Sequence, residues 1–338
     1  MRIGIIGCGN IAQVHAWTLN QTENAEIVAF VDCVVDKANN MSMKYTDGKA
    51  SVYSNYIEML ESEKPDVVHI CVPHYLHVPM AIEALKRNIS VFMEKPPAIT
   101  KEEFDELIRC AEKSKARIGF CFQNRYNATV AKLDELVSDK EFGAVIGARG
   151  FVTWNRDEKY YSDNWHGILE KEGGGVLINQ AIHTLDLILR YMGTPENVSA
   201  SMHNHHLQGI IEVEDTLEAR MEFEGNKAAV LFATNAYAND APVIFELSFE
   251  KGRVTLIDKV LQIVRNGAEA EIVTCDVKMS AGIGKDYWGR GHLACIKDFY
   301  RCLNEGLDYR NDIEGVENTV YTTMRIYEAA GRRLRKRG

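Results

Sequence analysis

The chain of 338 residues has no C-x-x-C pair among its eight cysteines, no apolar run near the roughly 18 residues of a membrane helix, and no internal repeat or low-complexity stretch. It also has no excess of positive charge: Lys+Arg is 39 against Asp+Glu 48, a net charge of −9. The first absence argues against a paired-thiol metal or redox site. The second argues against a membrane protein. The missing positive charge argues against a dedicated nucleic-acid binder, whose phosphate contacts need a basic face. Met1-Arg2 runs straight into the apolar Ile3-Gly4-Ile5-Ile6, so no leader is expected, and several cysteines lie in strand-like runs. We read them as reduced, mostly buried thiols in a cytoplasmic protein.

What is present is ordinary for a folded chain: 46% hydrophobic and 26% charged residues, with length enough for two domains. The first third alternates strand and helix signals. Apolar runs at Ile3–Ile6, Ile27–Val31, Val67–Val72, Ile89–Met93 and Ile118–Phe122 alternate with helical stretches near Asn10–Leu19, Asp36–Tyr45, Tyr56–Leu60, Pro79–Lys86 and Lys101–Lys113. Such alternation implies a doubly wound parallel sheet. After residue 122 the pattern changes. A strand at Val145–Thr153 and a helix at Val176–Tyr191 precede strand after strand from Val198 to Val273, which implies an antiparallel sheet. Helices near Leu293–Leu303 and Glu314–Leu334 close the chain. The expected fold is therefore α/β followed by α+β: residues 1–122 a Rossmann-type domain, residues 123–338 a second domain on a large, mostly antiparallel sheet.

Gly7-Cys8-Gly9-Asn10-Ile11-Ala12 fits G-x-G-x-x-A between a strand and a helix. Gly7 permits the tight turn, Gly9 a close approach of backbone to a pyrophosphate, and Ala12 close helix–strand packing. Asp32 ends the second strand where a carboxylate accepts from both ribose hydroxyls. It would repel a 2′-phosphate, so NAD is favoured over NADP.

Glu94-Lys95-Pro96 follows a strand of the same sheet, where ligands gather. Gly173-Gly174-Gly175 lets backbone approach something flat or bulky. On the apolar helix that follows, Asn179, His183 and Asp186 stand four and three residues apart, which places them on one stripe. His203, His205 and His206 carry no metal assignment, because alternation sends neighbours to opposite faces. The basic end, with Arg332 and Arg333, reads as a solvated helix terminus.

Together with Cys71-Val72-Pro73-His74-Tyr75-Leu76-His77 and Gly291-His292, these motifs resemble the Gfo/Idh/MocA family of sugar and cyclitol oxidoreductases across essentially the whole chain. The resemblance implies that Lys95 is the substrate-oriented lysine and His183 the general acid/base. Pro73, His74, His77, Glu94 and Gln123 would line the cofactor beside Gly7, Gly9, Asn10, Ile11, Ala12 and Asp32. Asn179, Arg125, Tyr161, Trp165 and Asp186 would meet the substrate, with Tyr161 and Trp165 stacking on a sugar face. Trp288 and His292 go to core or interface. Many members carry Asp where this chain has Asn179. Trp165-His166-Gly167 lacks the Arg of several nucleotide-sugar relatives.

With only Lys95 and Arg125 basic around the expected pocket, a neutral sugar is preferred to a polyanionic one. The implied activity is hydride transfer between a secondary alcohol of a sugar, sugar derivative or cyclitol and NAD. Two alternatives stand beside it: a glycosidase that works through transient oxidation and elimination, and a non-catalytic NAD-binding regulator. The partners implied are a small carbohydrate and further copies of the chain, as a dimer or tetramer through the second sheet.

Overall fold

In a computed structural model of the chain, residues 1–138, 142–275 and 291–332 are described. The chain divides into two units. The first holds Met1–Ala98, Glu102–Tyr126 and Lys278–Val316; the second holds Ile99–Lys101, Asn127–Val277 and Glu317–Gly338. The units thus do not follow one cut in the chain, because a late segment packs with the first.

The first unit is built from β1 (Arg2–Ile6), α1 (Asn10–Leu19), β2 (Glu26–Val31), α2 (Val35–Thr46), β3 (Ser51–Tyr53), α3 (Tyr56–Glu63), β4 (Val67–Ile70), α4 (His77–Lys86), β5 (Ser90–Met93), α5 (Lys101–Ala111) and β6 (Ile118–Phe120). Its six strands lie in the order β3-β2-β1-β4-β5-β6, all parallel. The order reverses between β1 and β4, which opens a crevice at the strands' carboxyl ends. β4 is buried at every residue, as a strand covered on both faces must be. The short polar β3 carries no apolar run, which is why it is not evident in the sequence.

The second unit contains α6 (Ala128–Ser138), β7 (Val145–Thr153), the one-turn α7 (Leu169–Glu172), α8 (Ile182–Met192), β8 (Asn197–His203), β9 (Thr216–Phe223), β10 (Lys227–Thr234), β11 (Ile244–Phe249), β12 (Gly252–Ile257), β13 (Val260–Arg265) and β14 (Glu271–Thr274). Its eight strands run β14-β13-β12-β11-β7-β10-β9-β8. All neighbours are antiparallel except β7 and β10. α8 packs on one face: a Cβ on Gly150 would stand 2.5 Å from Thr184 and 3.3 Å from Ile188.

α9 (Gly291–Glu305) belongs to the first unit, where Phe299 and Tyr309 close over Gly119. α10 (Ile313–Ala329) follows it. No helix among the described residues is long and apolar enough to cross a membrane. Trp288 and the terminal basic residues after Arg332 lie outside the described residues.

Candidate active site

In the first unit the expected cofactor residues gather at the carboxyl edge of the parallel sheet. Gly7 has φ +88°, and a Cβ there would stand 2.4 Å from the Cys71 carbonyl oxygen. Only glycine fits, for both reasons. A Cβ on Gly9 would meet nothing within 4 Å, so open space lies beside the loop. Gly9 caps α1 without a side-chain hydrogen bond, and the first turn (Asn10, Ile11, Ala12) carries no acid. Such a helix start suits an anion. Ala12 is fully buried.

Asp32 reaches back to this loop. Its Oδ2 accepts the Cys8 N–H at 2.8 Å and its Oδ1 the Val34 N–H at 2.8 Å. A carboxylate oxygen takes more than one donor, so these bonds orient Asp32 without exhausting it. Burial, then the Asp32 charge, pushes the Cys8 thiol up to about 12, which makes it inert. Loop, helix start and acid are the donor and acceptor set that a dinucleotide needs.

Pro73 opens a short 3-10 turn in which His74 is buried. His77 departs from the expectation of a cofactor contact. Its ring is fully buried, with Nδ1 2.8 Å from the Pro96 carbonyl oxygen and Nε2 2.9 Å from that of Val72. Each nitrogen faces a carbonyl of the loops after β4 and β5, and a neutral ring donates to one of the two at a time. Arg125 is likewise buried: it donates to the carbonyl oxygens of Arg310 (3.0 Å) and Gly315 (2.8 Å) and to Asn311 Oδ1 (3.1 Å). Its charge serves this segment of the first unit, because three fixed acceptors already hold it. Gln123 is also buried, within reach of the Cys121 thiol.

Lys95 is half-buried, while Glu94 beneath it is buried. Glu94 Oε2 accepts the Lys95 backbone N–H at 3.2 Å, and Oε1 lies 3.0 Å from His15 Nε2. Burial opposes ionisation of Glu94. The hydrogen bond from His15 leads the effects that outweigh it and hold the carboxyl well below its ordinary range. His15, Glu94 and Cys121 are the group of possible metal ligands among the described residues, their ligand atoms within 4.8 Å of one another. The His15–Glu94 pair is a hydrogen bond. His292 is buried in the core, as expected, and burial lowers it to about 4.

In the second unit the helix expected over Val176–Tyr191 opens instead with a π segment, Leu177–Ala181, before α8 begins. Such a wide turn shifts the phase of Asn179 against His183 and Asp186, and is frequent at functional sites. The three glycines ahead of it answer to the protein's own packing. A Cβ on Gly173 would stand 2.3 Å from Ile99, on Gly174 2.0 Å from the Tyr327 hydroxyl, and on Gly175 1.9 Å from the Glu214 carbonyl oxygen. Glu214, buried, closes the turn by accepting from Gly175 N (3.0 Å), Leu177 N (3.2 Å) and the Tyr327 hydroxyl (2.9 Å).

His183 is half-buried on α8. Asp186 is buried, accepting from Thr319 Oγ1 at 2.7 Å, a packing bond rather than a place for substrate. Asn179 donates to Glu172 Oε1 at 2.6 Å and toward the Tyr160 hydroxyl at 3.4 Å, while Gln180 donates to the same hydroxyl at 3.3 Å. Glu172 also accepts the Gly167 backbone N–H.

Tyr161 is not a stacking platform. It is buried with Leu207, Ile211 and Val213, and its hydroxyl accepts from Asn235 at 2.9 Å. Its neighbour Tyr160, one residue earlier, holds the half-exposed place. Trp165 is half-buried with its ring 3.6 Å from that of His166, which pairs with Asp163 at 2.5 Å. The sequence reading missed Glu172, Gln180, Asn235 and Arg156. Arg156 is a buried cation 5.3 Å from the Tyr160 ring, paired with Asp240 at 2.8 Å. Nothing in local sequence marks these residues, which come from separate segments of the second unit.

Residues 1–122 match the model of the oxidoreductase family with NAD-binding Rossmann fold, and residues 130–255 match the GFO/IDH/MocA C-terminal domain. The chain belongs to the Gfo/Idh/MocA family. This Gfo/Idh/MocA protein is an NAD-dependent oxidoreductase with the fold class read from its sequence, a Rossmann-type parallel sheet and a second, mostly antiparallel sheet. It is 29% identical over 287 residues to D-glucoside 3-dehydrogenase of Escherichia coli K12, covering 79% of this chain and 80% of that protein. Among solved structures it resembles the WlbA dehydrogenase of Bordetella pertussis, in complex with NADH and UDP-GlcNAcA (TM-score 0.83, 24% identity, 98% and 96% of the two chains). Levoglucosan dehydrogenase in complex with NADH and levoglucosan has the same fold (TM-score 0.86, 18% identity, 98% and 97%).

Proposed function

We propose that the protein oxidises a secondary hydroxyl of a neutral sugar or sugar derivative, reversibly, with NAD⁺ as acceptor. The observation that carries this reading is the chemistry around Asn179. The amides of Asn179 and Gln180 meet at the Tyr160 hydroxyl, Asn179 also donates to the Glu172 carboxylate, and the nearby Arg156 is already paired with Asp240. Uncharged donors and acceptors match hydroxyl groups, whereas a phosphate would require free cations. The likeness to a D-glucoside 3-dehydrogenase supports the same class.

Bound NAD⁺ supplies the hydride acceptor. His183 removes the hydroxyl proton, and the Lys95 ammonium donates to the oxygen as alkoxide charge develops. Glu94 keeps a negative charge next to Lys95. Gly7, Gly9 and the start of α1 take the pyrophosphate, with Asp32 on the adenosine ribose.

In this reading residues 1–122 bind the cofactor and residues 123–338 the substrate. The sheet face turned away from α8 carries Val230 and the Phe151–Phe232 pair, which supports assembly of copies through it as a dimer or tetramer. All eight cysteines are free, which supports a reducing cytoplasm.

The test is reduction of NAD⁺ and NADP⁺ with a panel of mono- and disaccharides and their methyl glycosides. One NADH per sugar oxidised supports the dehydrogenase. Glycoside cleavage without net NADH would replace it by the glycosidase. No turnover on any member would overturn the proposal.

A further inference from the structure

A line of hydrogen bonds runs through the first unit to the Glu94 carboxylate, from three residues that the sequence did not single out. The Tyr300 hydroxyl, on α9, lies 2.9 Å from His69 Nε2, on β4. His69 Nδ1 lies 2.8 Å from Nδ1 of His15, on α1, and His15 Nε2 lies 3.0 Å from Glu94 Oε1. All four residues are buried, and both imidazoles pack against Phe92. Cys71 Sγ (3.4 Å from His15 Nδ1) and His292 Nε2 (4.0 Å from Glu94 Oε1) stand at the margins.

The polarity of the line follows from its far end. An ionised carboxylate only accepts, so His15 Nε2 carries a proton. A neutral His15 then has a bare Nδ1, and across 2.8 Å the proton must come from His69 Nδ1. That leaves His69 Nε2 to accept from the Tyr300 hydroxyl. Burial pushes His69 well below its ordinary value, in keeping with a neutral ring. The alternative, a doubly protonated His15, would pair as a cation with Glu94 and reverse the other two bonds.

We propose that Tyr300, His69 and His15 form a one-way hydrogen-bond relay that holds the Glu94 carboxylate in place and, through its bond to the Lys95 backbone, sets the position of Lys95. They are positioning residues, and this role rests on the reading of Lys95 as the substrate-oriented lysine. Each bond polarises the next toward Glu94, so loss of one is felt at the end. One carboxylate oxygen faces His15 and the other the Lys95 N–H. Without His15 the carboxylate swings, and the Lys95 backbone loses its acceptor.

Two replacements of His15 separate this role from mere packing. A Gln amide nitrogen falls where Nε2 stands and still donates to Glu94, whereas an Asn amide reaches only the Nδ1 position. In His15→Asn, kcat with the best substrate of the sugar panel falls about 10- to 100-fold, the worth of one hydrogen bond to a buried charge, while KM for NAD⁺ changes less than about twofold. His15→Gln stays within about threefold of wild type, and Tyr300→Phe loses about two- to fivefold. Equal losses in His15→Asn and His15→Gln would overturn the relay.

A second measurement needs no substrate. Long-range ¹⁵N NMR of histidine-labelled protein, assigned with the His15 and His69 variants, should show the proton on Nε2 of His15 and on Nδ1 of His69. A proton on His69 Nε2, or a doubly protonated His15, would refute it. If wild type turns over no sugar, the functional reading fails by itself, and the NMR result still decides the relay.

Discussion

The Asn179 side-chain amide donates to Glu172 Oε1 over 2.6 Å, which makes a buried carboxylate the neighbour of the position where many relatives carry Asp. Asn179→Asp would set two carboxylates face to face in a buried site. We expect it to lower thermal stability by about 1–3 kcal/mol and kcat/KM by at least tenfold, because one of two close carboxylates must take up a proton. Adding Glu172→Gln removes the repulsion and should restore most of both. Thermal melts and steady-state kinetics of the single and double variants check this. An Asn179→Asp variant as stable and active as wild type contradicts the pairing.

Lys95→Met and His183→Ala should each reduce NAD⁺ reduction by at least about a thousandfold while leaving NADH binding, read by fluorescence titration, within about twofold. Either variant turning over like wild type would remove that residue from the chemistry.

Asp32→Ala should raise KM for NAD⁺ about tenfold or more and narrow the preference over NADP⁺, since it removes both the ribose acceptor and the repulsion of a 2′-phosphate. It also strips the Cys8 and Val34 N–H groups of their acceptor, so loop order falls too. Kinetics with both cofactors measure the two effects.

Stability should fall on acidification from pH 7.5 toward 4. Burial holds His69, His77 and His292 below their ordinary 6.5, His292 at about 4. The unfolded chain therefore binds protons through this window before the folded one does, and folding loses free energy as pH drops. His292 alone contributes on the order of 3 kcal/mol as an upper bound. Depressed Glu94 adds a loss of the same sign below its ordinary 4.5. Urea midpoints across this range should decline; a level or rising curve would mean that these histidines are charged when folded.

Residues with a fixed spacing to a strand or helix end were legible in the chain. Gly7, Gly9, Ala12 and Asp32 owe their places to one βαβ unit (β1, α1 and β2), whose geometry is local. Lys95 likewise follows a strand, and the alternation of apolar runs showed the parallel sheet apart from the polar β3. Spacing misled where a contact partner lay far away. The three glycines fit Ile99, Tyr327 and the Glu214 backbone, and the residue that stands beside Asn179 is Tyr160, since Tyr161 turns into an apolar cluster.

The sequence by itself determined the alternation of the parallel sheet apart from β3, and where the dinucleotide-type loop, Lys95 and His183 stand along the chain, because these depend on neighbours within one supersecondary unit. Only the tertiary structure decided which polar groups share a partner. It paired Glu172 with Asn179, buried Arg125 on Asn311 and Gly315, set His77 between two loops, and lined Tyr300, His69 and His15 up on Glu94. A buried polar group must be satisfied by whatever the fold brings within about 3 Å, and those partners come from as far as 231 residues away in the chain.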